Sequence, residues 1–321
     1  MCFNGETMKI TFLGTGGGRF TTISQKRMTG GFRIDDINGK NYHIDPGPGA
    51  LVRSYQFGIK PTTLNGVFVS HAHTDHYTDV EVLIEAMTRG MTRENGVIIG
   101  SRSVFKGFKQ WGPCISNYHR GKSDKLVLDP NKTKTVDGIK IKGTKTIHGD
   151  PTCVGFQMQA NGLAISYTSD TKYFDKLHEY HKDADILIGS VIRPGTKSIK
   201  GHMCSGNFAK LVKEVNPKIA IMTHFGFKML SENPANEAKY VQKKSGIRTI
   251  AAFDGMKLEI DDKNRNKVKI IKMKNKFAKN NQNLNHSINN DSNDKQTVLN
   301  SNNNQNTFIK DFSYKHENKK K

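Results

Sequence analysis

The sequence predicts a layered α/β fold, on three observations. Apolar runs of strand length recur through roughly the first 260 residues. Between them lie segments whose apolar residues return every three to four positions, the period of a helix with one buried face. These elements form two strand-rich halves, each with its own helices, an order that suits stacked sheets with helices outside better than an all-β barrel.

In chain order, Met8–Leu13 reads as the first strand and runs into Gly14-Thr15-Gly16-Gly17-Gly18-Arg19. No Gly-Lys-Ser/Thr follows, and Arg19 breaks the dinucleotide fingerprint. The stretch is therefore expected to be a tight turn needing positive φ, and glycine there also lets backbone approach a ligand closely. Gly31–Asp35 and Asn41–Asp45 are expected to pair around Asn38-Gly39, a strong hairpin signal. A helix over Ala50–Phe57 follows Asp45-Pro46-Gly47-Pro48-Gly49. After the strand Gly66–Val69 comes a helix over Val80–Arg89, with Val80, Leu83, Ile84 and Met87 on one face.

Residues 101–125 are irregular. Phe105, Phe108, Trp111 and Tyr118 alternate with Lys106, Lys109, His119, Arg120 and Lys122. Such interleaving stacks bases and holds phosphates in some proteins and forms a packed lid in others. His119 belongs to no ligand pattern. Strands are expected over Val136–Lys142, Lys145–His148, Val154–Gln159 and Leu163–Thr168. Two helix-strand pairs follow: Phe174–His181 with Asp185–Val191, and Gly206–Val215 with Lys218–Thr223. Helix Pro234–Lys244 precedes strands Arg248–Ala252 and Lys257–Ile260.

One domain is expected over residues 1–262. Residues 263–321 are basic and asparagine-rich, with 13 asparagines between 275 and 306, a composition that buries too little apolar surface to order itself. The formal charge is +21, and residues 261–321 carry 14 Lys+Arg against 6 Asp+Glu, so residues 1–260 alone stand at +13. Such a surface concentrates anions, nucleic acid foremost. The four cysteines, Cys2, Cys114, Cys153 and Cys204, form no C-x-x-C pair, which argues against a cysteine zinc site or a redox couple. No signal-peptide pattern is seen at the N-terminus, and no apolar run approaches the roughly 18–20 residues that span a bilayer. A cytoplasmic, soluble chain without membrane contact is expected.

The chemistry concentrates in Val69-Ser70-His71-Ala72-His73-Thr74-Asp75-His76, at the end of an apolar strand. Three imidazoles and a carboxylate within six residues are the donor set of a borderline-soft divalent metal. His71 and His73 leave an extended segment on the same face. Asp75 and His76 are adjacent and diverge, which suits a second metal close by. A helix is expected from about Tyr77. Further donors should end other strands, where loops converge. His148 ends Lys145-Thr146-Ile147, Asp170 ends Ser166-Tyr167-Thr168-Ser169, and His224 ends Ile219-Ala220-Ile221-Met222-Thr223.

His71-x-His73-x-Asp75-His76 after a short hydrophobic strand resembles the signature of the metallo-β-lactamase superfamily. The resemblance implies a four-layer αβ/βα sandwich of two mixed β-sheets flanked by helices. It implies two divalent metal ions, Zn²⁺ or else Mn²⁺ or Fe²⁺. His71, His73 and His148 would hold one, Asp75, His76 and His224 the other, with Asp170 bridging. Asp45 resembles the aspartate that orients ligand imidazoles. A hydroxide bridging the metals would be the nucleophile, with Asp75 orienting it. His202, in Lys200-Gly201-His202-Met203, stands where such enzymes carry a proton-donor histidine.

Within the superfamily the chain resembles the transfer-RNA 3′-end endonucleases (RNase Z) and their phosphodiesterase relatives. The similar stretches are Phe12-Leu13-Gly14-Thr15-Gly16-Gly17, Thr21 and Thr22 with Arg27, the histidine motif, Tyr167–Thr171, Gly201-His202 and Thr223-His224-Phe225. Departures are Phe20 in place of a proline before Thr21, Gly226-Phe227-Lys228 in place of Ser-x-Arg, and no long Gly/Pro-rich arm. The expected activity is that of a phosphodiesterase acting on RNA or another phosphodiester. A small-molecule hydrolase opening a lactone, thioester or cyclic phosphate stays open, as do a sulfur dioxygenase and a non-enzymatic RNA binder. An anionic substrate is the expected partner, RNA among the candidates, and a homodimer is left open.

Overall fold

The structure, a computed structural model, describes residues 7–260 and 268–277. The first half comprises β1 (Met8–Phe12), α1 (Arg19–Ser24), β2 (Phe32–Ile37), β3 (Lys40–Ile44), α2 (Ala50–Gln56), β4 (Gly66–Val69), α3 (Thr74–Tyr77), α4 (Val80–Met87), β5 (Val97–Gly100), α5 (Arg102–Lys106), α6 (Asn117–Arg120) and β6 (Asp124–Val127). Then come β7 (Thr133–Val136), β8 (Ile139–Lys145), β9 (Val154–Ala160), β10 (Leu163–Tyr167), β11 (Ile186–Arg193), β12 (Met203–Cys204), α7 (Ser205–Val215), β13 (Ile219–Thr223), α8 (Phe227–Ser231), α9 (Pro234–Ser245), β14 (Thr249–Ala251), β15 (Met256–Ile260) and β16 (Val268–Lys272).

Two mixed sheets result. One has the order β16-β15-β1-β2-β3-β4-β5-β6, and the other β14-β13-β11-β10-β9-β8-β7 with β12 beside β11. In each, one side is antiparallel and the other parallel: β3 to β6 in the first, β10, β11, β13 and β14 in the second. The alternation of β-strands sorts side chains between layers. Phe68 of β4 and Ile186 and Ile188 of β11 join the core between the sheets, with Phe12, Ile34, Phe156 and Tyr167. Val67 and Val69 face outward onto Leu83, Ile84 and Met87 of α4 and Ala50 of α2. Leu187 and Val191 face outward onto Phe208, Leu211 and Val212 of α7 and Val241 of α9. The layers are therefore helix, sheet, sheet, helix.

Several elements differ from expectation for local reasons. After the expected glycine-rich turn, residues 19–24 wind into α1, where no element is expected. β5 is not among the expected strands, although its apolar run Val97-Ile98-Ile99 is as strong a signal as that of β4; β6 and β7 are edge strands that bury little and leave no strong apolar signature. The expected strand over 136–142 straddles a turn: Asp137-Gly138 has φ of 52° and 76°, the hairpin conformation that Asn38-Gly39 also adopts at 52° and 70°. β8 runs unbroken to Lys145, and Thr146–His148 leaves the sheet. The expected helix over 174–181 shrinks to the 3₁₀ turn Leu177–Tyr180, because Lys176 takes φ 62°.

The domain boundary also moves. β16 pairs antiparallel with β15, Val268 opposite Ile260 and Lys272 opposite Met256, and the compact unit extends to Lys276 rather than ending at 262. Val268 packs against the core between the sheets, which draws this basic strand into the fold. The expected disorder of the asparagine-rich stretch, and Cys2, lie outside the described residues. Among the described residues no helix is long and apolar enough to cross a membrane.

Candidate metal centre

The strands that the sequence motif and the late candidates terminate all end at one rim. β4 leads to His71 and His73, α3 carries Asp75 and His76, β8 leads to His148, β10 to Asp170 and β13 to His224. Asp45, Ser169 and His224 turn there with φ of 51°, 52° and 61°. The left-handed region costs such residues of order 1–3 kcal/mol and persists where surrounding structure enforces it.

Hydrogen bonds set the ring orientations. Ser70 donates its one hydroxyl proton to Asp45 Oδ2 at 2.8 Å, so at 2.9 Å it accepts from His71 Nδ1. His71 Nε2 is thereby a bare acceptor. His148 Nδ1 donates to the Gly201 carbonyl at 2.9 Å, which bares its Nε2 in the same way. Both bare nitrogens lie 2.9 Å from His73 Nδ1. Lone pairs that converge in this way are satisfied by a shared cation.

A second group adjoins the first. His76 Nδ1 donates to Asp45 Oδ2 at 2.9 Å, which turns its Nε2 toward His224 Nε2 at 3.2 Å. His224 Nε2 lies 3.3 Å from Asp75 Oδ2 and from Asp170 Oδ2. Asp170 Oδ2 is also 3.4 Å from His76, 3.5 Å from His202 Nδ1 and 3.8 Å from His148 Nε2, so this carboxylate stands between the two groups. Asp170 Oδ1 and His224 Nδ1 are buried without a hydrogen-bond partner. Among the described residues, four sets of three donors fall within 4.8 Å of one another: His71-His73-His148, His71-His76-Asp170, Asp75-His76-His224 and His148-Asp170-His202. All eight site residues expected from the sequence are thus brought together.

The electrostatics favour a cation. Burial lowers the His71 imidazole well below its ordinary range and His73 to about 4, which keeps both in the neutral, ligating form. Burial also works against charge on His76, but Asp170, Asp75 and Asp45 outweigh it and hold that ring protonated. Burial would raise Asp75 and Asp170, yet the surrounding imidazoles hold both carboxylates below the usual range. A buried pocket that retains two carboxylates and draws a proton onto His76 is built for positive charge. The donor set fits divalent metal.

Other contributors carried weaker sequence signals. Tyr167 donates to Asp45 Oδ2 at 3.0 Å, and Asp45 Oδ1 accepts from the Ser70 amide at 2.7 Å, so Asp45 collects the supports of both His71 and His76. Asp150 accepts from the Ala72 amide at 3.1 Å, between the first two histidines. Asp254 accepts from Thr15 and Met28 and pins the glycine-rich loop, whose Gly18 amide donates to Asp75 Oδ2 at 2.8 Å. The glycine run was the visible signal here. It lets backbone pass beside the donors, with Gly17 packed against the His224 ring and Gly18 bonded to Asp75.

The site opens into a cleft of about 950 Å³. Arg19, Lys172, Arg193, Lys200 and Lys228 line it, and among the described residues none of the five is in an ion pair. Asp75 and Asp170 are its only lining carboxylates. Trp111 lines it too, with its ring 4.7 Å from that of His73. Within the segment 101–125, Trp111 faces the cleft, while Phe105 is core. His119 is tied to Glu81 and Glu85 at 3.2 and 3.1 Å, away from the site. Arg27 is not on the cleft; its guanidinium lies 6.0 Å from the Phe225 ring.

Residues 40–225 match the beta-lactamase superfamily domain. The uncharacterized protein MJ1374 of Methanocaldococcus jannaschii is 43% identical over 256 residues, 79% of this chain and 95% of its own length. YhfI of Bacillus subtilis, described as a probable metallo-hydrolase, is 28% identical over 73% of this chain and 93% of itself. The YhfI crystal structure covers 79% of this chain and all of its own, with a TM-score of 0.66. A ribonuclease Z of Pyrobaculum neutrophilum is 24% identical over 68% of this chain and 86% of itself. The chain belongs to the metallo-β-lactamase superfamily, with RNase Z-like proteins among its relatives.

Proposed function

We propose that the chain is a dinuclear metal-dependent phosphodiesterase acting on RNA or another phosphodiester. The observation that carries this reading is the cleft: two adjoining donor sets on its floor, five cations on its walls and, among the described residues, no ion-pair partner for them and no lining carboxylate beyond Asp75 and Asp170. His71, His73 and His148 would hold one ion and Asp75, His76 and His224 the other, with Asp170 shared; Zn²⁺ suits these donors, as do Mn²⁺ and Fe²⁺. Ions bound there supply hydroxide at neutral pH and offset the charge that develops on the phosphoryl group.

The remaining work falls to the protein. Lys172, Arg193, Lys200 and Lys228 draw the phosphodiester to the cleft and hold its non-reacting oxygens. Asp75, fixed by the Gly18 amide, orients the nucleophile. His202 lies in the cleft beside Asp170, and burial lowers it to about 4 against the pull of that carboxylate. Neutral at pH 7, it can take the proton that the nucleophile gives up as the new P–O bond forms and return it to the departing oxygen.

The test is metal-dependent hydrolysis of bis(p-nitrophenyl) phosphate by wild type and His73→Ala, with a lactone and a thioester alongside. Diester turnover that disappears in the variant supports the reading. No diester turnover by metallated protein, with lactone or thioester cleaved, replaces it with a small-molecule hydrolase of the same fold.

A further inference from the structure

Two side chains on the cleft serve neither the metal donors nor the phosphate. Phe20, the second residue of α1, and Phe227, the first of α8, line the same cleft as His73, Asp75 and His202. Phe20 is 74% exposed and Phe227 45%, so neither ring stabilises the core. Lys26 Nζ sits 4.3 Å from the Phe227 ring centroid and leaves much of that ring open. Phe20 stands where the sequence departs from the RNase Z pattern, and Phe227 lies between two further departures, Gly226 and Lys228. Each is also the chain neighbour of an unpaired cation on the cleft, Arg19 beside Phe20 and Lys228 beside Phe227.

A ring next to a cation grips a nucleotide at two points, the base by stacking and the phosphate by charge. The cleft, at about 950 Å³, has room for more than the phosphoryl group that the donor sets require. An aromatic face is open only to a base that is itself unstacked. We propose that Phe20 and Phe227 form a base-stacking rim, so that the substrate is a phosphodiester carrying an unpaired nucleoside. This rests on the phosphodiesterase reading of the same cleft and narrows it from diesters in general to nucleotidyl ones.

The test compares two esters with one leaving group on metal-loaded protein: the p-nitrophenyl ester of thymidine 5′-monophosphate and methyl p-nitrophenyl phosphate. Binding is followed separately, through the fluorescence of Trp111, the single tryptophan, with thymidine 5′-monophosphate and methyl phosphate as ligands. Wild type should prefer the nucleoside member of each pair. Phe20→Ala and Phe227→Ala should each cut that preference roughly 5- to 150-fold, the range that loss of one stacked base gives. Phe20→Tyr and Phe227→Tyr should retain it. So should Ile23→Ala, which removes an exposed apolar group from the same helix but off the cleft. 5-Methyluridine 5′-monophosphate in the same titration tells ribose from deoxyribose.

Equal use of both esters, with equal binding, overturns the rim and leaves the phosphodiesterase standing. Phenylalanine-dependent nucleotide binding without turnover of either ester does the reverse. A preference that survives both alanine variants, with a changed oligomeric state in light scattering, makes the rim a protein contact and overturns the proposal.

Discussion

A β-carbon at position 17 would lie 2.1 Å from Cδ2 of the His224 ring. Nothing but glycine fits there without moving the loop or the imidazole. Gly17→Ala should therefore act as a lesion in the metal centre although residue 17 donates to no metal. A displacement of about an ångström at a reacting site costs on the order of a hundredfold in rate. The expected outcome is a drop of that size in diester turnover, with lower metal content by elemental analysis and unchanged far-ultraviolet circular dichroism. Full metal content and full rate would show that the loop yields freely.

Asp45 should matter as much as a ligand. Its Oδ2 receives Ser70, His76 and Tyr167, so one oxygen orients both donor groups. Asp45→Asn keeps the shape but weakens that acceptor and removes the charge. Loss of such a support lowers metal affinity about 10- to 100-fold. Competition with a chromophoric chelator measures it, and an unchanged affinity would confine Asp45 to a packing role.

For His202 the leaving group is the discriminator. An alkoxide must be protonated as it departs, whereas p-nitrophenolate need not be. His202→Ala should slow an alkyl diester about 10²- to 10⁴-fold and the p-nitrophenyl ester far less. Equal losses on both would assign His202 to binding the phosphate and not to moving a proton.

Acid sensitivity should arise partly far from the site. His181 is fully buried against Ser166 Oγ at 2.7 Å, and burial, reinforced by Lys142, lowers it to about 3. An unfolded histidine titrates near 6.5, so between those values the unfolded chain binds the extra proton. The stabilisation is full above about pH 6.5 and is lost as the pH falls toward 3. Between pH 7.5 and 5 the share from His181 is about 2 kcal/mol. Urea unfolding of metal-free His181→Gln should show a pH dependence smaller by that amount; an identical slope would place the acid sensitivity elsewhere.

The candidate donors and the layered class could both be read from the chain before its fold was known. His71, His73, Asp75 and His76 are close in sequence, so local geometry alone groups them, and the apolar periods of Gly66–Val69 and Val80–Arg89 declare a buried strand and its covering helix. His148, Asp170 and His224 were legible because each follows an apolar run; β10 and β13, both parallel to β11, bring Asp170 and His224 to a common rim, and His148 reaches it on the segment that leaves antiparallel β8. The weakly marked pieces were those whose stability comes from neighbours. β6 and β7 are edge strands with little burial, and β16 is a lysine-rich strand that forms because β15 offers an unpaired edge and the core accepts Val268.

Only the tertiary structure decided what surrounds the donors. Tyr167 meets Asp45 across 122 positions of chain, and Asp254 holds Thr15 across 239. No local periodicity encodes such pairs, because they exist only once two sheets have packed face to face. The same packing sorted the basic residues. It set Lys172, Arg193, Lys200 and Lys228 on one cleft and turned Arg27 onto Phe225 instead, a division that net charge along a chain cannot express.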